Sequence, residues 1–207
     1  MDMKVLKILI FSLTISFFNA IDAKSQVHFG VKGGVNLAKG AFENTSTDLA
    51  ISYHLGVLAQ FDFTEKIYLQ PELLFSQKGW GIPKGNFNEK GDMILRYLNM
   101  PVLVGFKLNK DISLLTGSEL GFKLNEKRKP GSGFSDIYGN FDFGLAFGVN
   151  YQLNSRFCID LRYIHGLKKL INDRVMSVDE EGNNIHVQEI KDGNNRIIQF
   201  GLFYTFN

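Results

Sequence analysis

Eight charged residues occupy positions that alternating strands would turn to one common face: Lys32, Glu72, Lys107, Glu119, Lys123, Asp142, Asp160 and Arg162. Charge facing a narrow, weakly polar lumen must pair or hold water, because an unpaired buried charge is very costly. The chemistry implied is a mutually satisfied polar plug, with Glu72, Glu119, Lys123 and Arg162 at its centre. Conduction or catalysis is the alternative for the same residues. His54 and His165, with Ser76 or Ser118, supply the residue types of an acyl-transferring triad. A triad is recognised by geometry, however, and no spacing here forces those groups together; His165 also falls on the opposite phase. No catalytic, cofactor or metal-ligating residue is assigned. Asp179, Glu180 and Glu181 match no calcium-loop spacing, and three acids at a turn are ordinarily solvated. With His186 and Glu189 they form instead a candidate partner-docking loop, in which two strand-like runs flank Asp179-Glu-Glu-Gly-Asn-Asn184 as a hairpin open to β-augmentation.

Strands must position these groups, since the chain after Gln26 reads in period two almost throughout. From Asn140 to Leu153, Phe141, Phe143, Leu145, Phe147, Val149, Tyr151 and Leu153 share one face, while Asp142, Gly144, Ala146, Gly148, Asn150 and Gln152 share the other. Helical spacing would scatter those rings around the axis. Eight such strands are expected, at 27–37, 53–63, 67–77, 95–108, 112–124, 140–153, 157–167 and 196–206. Thr64-Glu65-Lys66, Asn109-Lys110-Asp111 and Asn154-Ser155-Arg156 make tight turns, and the segments between them are long and polar. Short and long connections alternate, which in an up-and-down antiparallel barrel gathers every tight turn at one end. Outer-membrane barrels have that asymmetry, with short periplasmic turns and long extracellular loops. Pro71 and Pro101 lie inside strands of a sheet that has no free edge, so β-bulges are expected there.

Side-chain size decides which face meets lipid. An eight-stranded barrel is just wide enough inside for side chains to fill it. The face carrying Leu98, Met100, Val102, Val104, Phe106 and Leu108 is too bulky for that space. The face carrying Gly30, Gly34, Gly56, Gly105, Gly117 and Gly148 suits it. Aromatics on the bulky phase, Phe61, Phe63, Tyr151, Phe157, Tyr204 and Phe206 at the turn end and Tyr53, Phe75, Phe141 and Tyr163 towards the loops, read as two girdles.

The chain has 207 residues, enough for one domain, with a formal charge of only +2 that excludes nucleic acid as a partner. Cys158 is the single cysteine, so no internal disulfide is available. Lys4 and Lys7, the apolar run 8–18 and Ala23-Lys24-Ser25 have the layout of a secretory signal peptide. Residues 1–25 are therefore expected to be removed, leaving 26–207 as one barrel domain.

Phe29-Gly-Val-Lys-Gly-Gly-Val-Asn36, Leu69-Gln-Pro-Glu-Leu-Leu-Phe75, Tyr97-Leu-Asn-Met-Pro-Val102, Arg162-Tyr-Ile-His-Gly-Leu167 and Gln199-Phe-Gly-Leu-Phe-Tyr-Thr-Phe206 resemble the PorT-like outer-membrane β-barrel proteins of Bacteroidetes across the whole expected mature chain. That resemblance implies an all-β, eight-stranded antiparallel transmembrane barrel in the bacterial outer membrane and a link to secretion or envelope assembly. The expected partners are outer-membrane lipid and envelope or secretion-system proteins. A structural or interaction protein without enzymatic chemistry is the reading; a narrow channel, a lipid-modifying barrel enzyme and a soluble exported barrel with an apolar ligand are its rivals.

Overall fold

The computed structural model describes residues 27–42, 47–82, 91–129, 139–168, 176–178, 184–187 and 193–206. The expected signal segment, 1–25, lies outside them, as do Asp179, Glu180, Glu181 and Glu189 of the last loop. Ten strands follow in order: β1 Val27–Phe42, β2 Ala50–Asp62, β3 Ile67–Ile82, β4 Gly91–Lys107, β5 Ile112–Lys129, β6 Phe141–Gln152, β7 Phe157–Gly166, β8 Met176–Val178, β9 Asn184–Val187 and β10 Gly193–Thr205. β8 and β9 pair as the hairpin expected in the last loop, with His186 opposite Ser177. The other eight close a barrel in the order β1-β10-β7-β6-β5-β4-β3-β2, every neighbour antiparallel.

The register fixes the barrel's dimensions. From Lys39 the partners run through Arg196, His165, Leu145, Ser118, Val102 and Pro71, cross β2 at Ala59, and return to β1 at Phe29, a stagger of ten residues. With eight strands, that stagger sets a tilt of about 40° and a backbone radius of about 8 Å. The ten residues from Phe29 to Lys39 then climb about 25 Å along the axis, the height of a lipid-facing apolar band. Exposed apolar side chains cover that height all round, among them Phe29, Leu55, Val102, Phe147, Leu161 and Phe200. At the turn end Phe157 and Phe206 pack against Tyr204, with ring centroids 5.1 and 5.7 Å away.

The three tight turns share one device, supplied by their first residue. Thr64 Oγ1 accepts from the Ile67 amide at 2.9 Å, Asn109 Oδ1 from Ile112 at 2.8 Å, and Asn154 Oδ1 from Phe157 at 3.0 Å. Short polar side chains that mimic a backbone turn are what these positions require.

The structure departs from expectation in three places. Neither proline makes a bulge: the ladder is interrupted beside each, but Leu58–Glu72 and Phe61–Leu69 keep one register, as do Pro71–Val102 and Leu74–Asn99. The barrel's register shift lies between β4 and β5, where Arg96 faces Asn125 and Tyr97 faces Lys123, leaving Leu124 as the extra residue. Secondly, β1, β3, β4, β5 and β10 run several residues past their expected loop ends. Gly79 lies on one extension at φ 147°, where an added Cβ would meet the Met93 carbonyl. Finally, the interior is less uniformly small than expected, since Leu58, Leu74, Leu95, Leu103, Leu115 and Phe203 also point inward. Glycines make room opposite Leu58, Leu74, Leu103 and Leu115, and the Tyr68 ring likewise lies over Gly105, where a Cβ would collide with it.

Candidate functional site

The inward face carries two separate ionic clusters. In the lower one, Arg162 of β7 donates Nη1 and Nη2 to the two oxygens of Glu72 on β3, at 2.9 and 2.7 Å, and Nε to Asp160 Oδ2 at 2.8 Å. Lys32 of β1 donates to Asp160 Oδ1 at 2.6 Å and lies 3.5 Å from Glu72 Oε2. Gln70 adds a 2.6 Å hydrogen bond to Glu72 Oε1. All four charged side chains are fully buried. β3 and β7 are four strands apart whichever way one goes round, so the forked Arg162–Glu72 pair is a bar across the full width of the lumen. Two cations meet two anions there, and bidentate geometry makes such pairs both strong and directional.

The upper cluster lies nearer the loops. Lys78 of β3 donates to Glu119 on β5 at 2.9 Å and to Asp142 on β6 at 3.2 Å, and its ammonium sits 4.9 Å above the centre of the Tyr97 ring. Asn99 donates to Glu119 at 2.8 Å and Asn195 to Asp142 at 2.9 Å. One ammonium thus serves two buried carboxylates, and neutral amides add a donor to each, while Glu119 Oε2 is buried without a partner among the described residues.

Between the clusters, Asn36 Oδ1 accepts from His54 Nδ1 at 2.8 Å, and Asn36 Nδ2 donates to Ser76 Oγ at 3.0 Å. His54 and Ser76 are direct cross-strand partners, both buried in the lumen. Asparagine, rather than histidine, contacts the serine, so no base is hydrogen-bonded to a nucleophile. His165 and Ser118 lie on the lipid-facing phase. Among the described residues, no group of His, Cys, Asp and Glu could hold a metal ion.

The remaining sequence-selected charges lie at the two ends. Lys107 is half-buried at the turn end and bonds Asp62 at 3.1 Å. It helps line a polar vestibule of about 400 Å³ with His28, Gln60, Ser113, Gln152 and Thr205. Lys123 pairs with Glu126 at 2.6 Å near the loops. In a regular strand those two would point to opposite faces; the extra Leu124 turns both Leu124 and Asn125 outward and brings Glu126 back inside.

Lys78 is absent from the sequence-selected charges because the expected third strand ends at Gln77, one residue short of it. Extending the alternation Gln70, Glu72, Leu74, Ser76 by one step would have found it. Glu126 had no such signal, since only the bulge places it.

A family model described as outer membrane protein beta-barrel domain matches residues 19–172. No curated protein matches the chain. Among solved structures, the barrel is similar to Ail, the attachment invasion locus protein of Yersinia pestis, at 15% identity and TM-score 0.50, over 87% of this chain and 99% of that one. It is also similar to Neisserial surface protein A, at 14% identity and TM-score 0.51, over 86% and 97% of the two chains. OprG from Pseudomonas aeruginosa aligns at 13% identity and TM-score 0.51, over 88% and 97%. Identities this low speak to the fold alone: a closed, eight-stranded antiparallel barrel of the outer-membrane kind.

Proposed function

Since the chain belongs to the outer membrane protein β-barrel domain family, we propose that it is a closed, non-conducting barrel that acts as a structural or protein-interaction component of the outer membrane. The observation that carries this reading is the Arg162–Glu72 bar across the lumen, braced by Lys32 and Asp160. A conducting pore needs a continuous water path, and a bidentate ion pair spanning the barrel's diameter interrupts it. The upper Lys78 cluster adds a second obstruction. With the lumen filled, the surfaces left for a function are the lipid-facing wall and the loop end, including the β8–β9 hairpin. An enzymatic role is not favoured, because the buried His54–Asn36–Ser76 chain lacks a histidine–serine contact and opens to no lipid.

The finer assignment to the PorT-like barrels of Bacteroidetes, with a role linked to secretion or envelope assembly, rests on the resemblance of the five segments quoted above. Removal of residues 1–25 belongs to the same reading.

The test is single-channel recording on residues 26–207 refolded into planar bilayers. The barrel is expected to insert without conductance steps. Replacing both clusters together by alanine, Lys32, Glu72, Asp160 and Arg162 with Lys78, Glu119 and Asp142, is expected to produce small steps. Regular steps from the unaltered protein would make it a channel instead.

A further inference from the structure

The loop-side edge of the apolar band carries a row of three basic side chains. Lys39 on β1, Arg196 on β10 and His165 on β7 are successive cross-strand partners, all on the outward phase. Cross-strand partners bring their Cβ atoms to about 5 Å, and like charges facing each other there are destabilising. No acidic side chain relieves them among the described residues. Arg196 instead donates Nη1 to the Tyr163 hydroxyl at 3.2 Å and lies 3.3 Å from His165 Nδ1, and Tyr163 lies 3.3 Å from that same nitrogen. These contacts hold the guanidinium against the wall through one nitrogen. Nη2 and Nε have no protein partner among the described residues, and neither has the Lys39 ammonium. When Nδ1 of His165 accepts, Nε2 carries the ring proton and is a further donor.

Location selects the ligand. The outward neighbours one step nearer the turns are Leu37, Ile198 and Tyr163, which lie within the apolar band. The cluster therefore stands where acyl chains give way to headgroups. Donors from three adjacent strands converge on one place, and a phosphate offers three strong acceptor oxygens and the missing negative charge.

We propose that Lys39, Arg196 and His165 form a binding site for the phosphate of a phosphorylated lipid headgroup in the loop-side leaflet, with Tyr163 positioning Arg196. A bound phosphate removes the like-charge opposition along the row and anchors one lipid against β1, β10 and β7. The site is independent of whether the lumen conducts.

Native mass spectrometry of residues 26–207 in uncharged maltoside detergent tests it, with monophosphorylated lipid A and its dephosphorylated form as probes. The phosphorylated form is expected to be retained and the dephosphorylated form not. K39Q and R196Q should each weaken retention by about tenfold, the worth of one charge-assisted hydrogen bond. Arg96→Gln removes an outward cation three strands away on β4 and should leave retention unchanged. All three positions are on the outer surface, and the boiling-dependent gel shift of each variant reports that the barrel has folded. Equal retention of both lipid forms would overturn the proposal, as would an R96Q loss matching that of R196Q. Displacement by millimolar inorganic phosphate would mean that the site holds free anion and not a lipid.

Discussion

The Arg162 guanidinium directs Nε to Asp160 and both terminal nitrogens to Glu72, so each of its nitrogens has a carboxylate partner. Such a group stabilises little when compared with a well-packed apolar replacement, but breaking it exposes the full cost of an unpaired buried charge. Glu72→Ala is therefore expected to lower the unfolding free energy by about 3–5 kcal/mol, read by urea titration in detergent. The double variant E72L/R162M should recover most of that loss. A single variant costing under about 1 kcal/mol would show the bar to be well hydrated. Lys78 offers a sharper contrast, because Glu119 and Asp142 depend on one ammonium. K78M leaves two buried carboxylates without a cation and should destabilise more than E119Q, which leaves Lys78 paired to Asp142.

At the level of the strand, the outward phase answers to depth in the bilayer. Phe200 is half-exposed in the middle of the apolar band, next to Leu161, whereas Phe157 lies in the aromatic belt at the turn end. Phe200→Arg is expected to cost about 2–4 kcal/mol and Phe157→Arg about 0–1 kcal/mol, measured by reversible unfolding in lipid vesicles. Equal costs would mean that the wall does not face hydrocarbon. The β4–β5 bulge sets the phase of the loop-side end of β5. Deleting Leu124 removes the extra residue, so Lys123, Asn125 and Glu126 should alternate without a bulge and Glu126 should stay inside beside Lys123. That variant should keep both the gel shift and its protease resistance at the loop end, whereas Glu126→Ala, which removes the Lys123 partner, should become more sensitive there. Gly79→Ala is expected to strain the β3 extension for the same local reason, its φ of 147°.

For the whole molecule, closure removes the edges of the eight-stranded sheet, and the stagger of ten residues sets a lumen narrow enough for side chains from opposite walls to meet. Arg162 and Glu72 are 90 residues apart in sequence and meet only when the sheet curls far enough to bring β7 across from β3. On the proposed reading, folding and plugging are one event. A boiling-dependent mobility shift should accompany folding in detergent, and its absence in a chain that stays soluble without detergent would reverse the inside and outside assigned here.

The sequence by itself determined the strand count, the up-and-down connectivity, the turn residues and the lipid-facing phase. All of these depend on local periodicity and local turn chemistry, which act over a few residues. It also told which charges face inward, as far as strict alternation holds: Lys32, Glu72, Asp160 and Arg162 were legible for that reason. Only the tertiary structure decided who pairs with whom. That choice depends on the stagger, on the Leu124 bulge that returned Glu126 to the inner face, and on the strand extension that carried Lys78 inside. Register is a property of two strands at once, and a pair across the lumen is a property of the closed ring, so neither is written in any single segment.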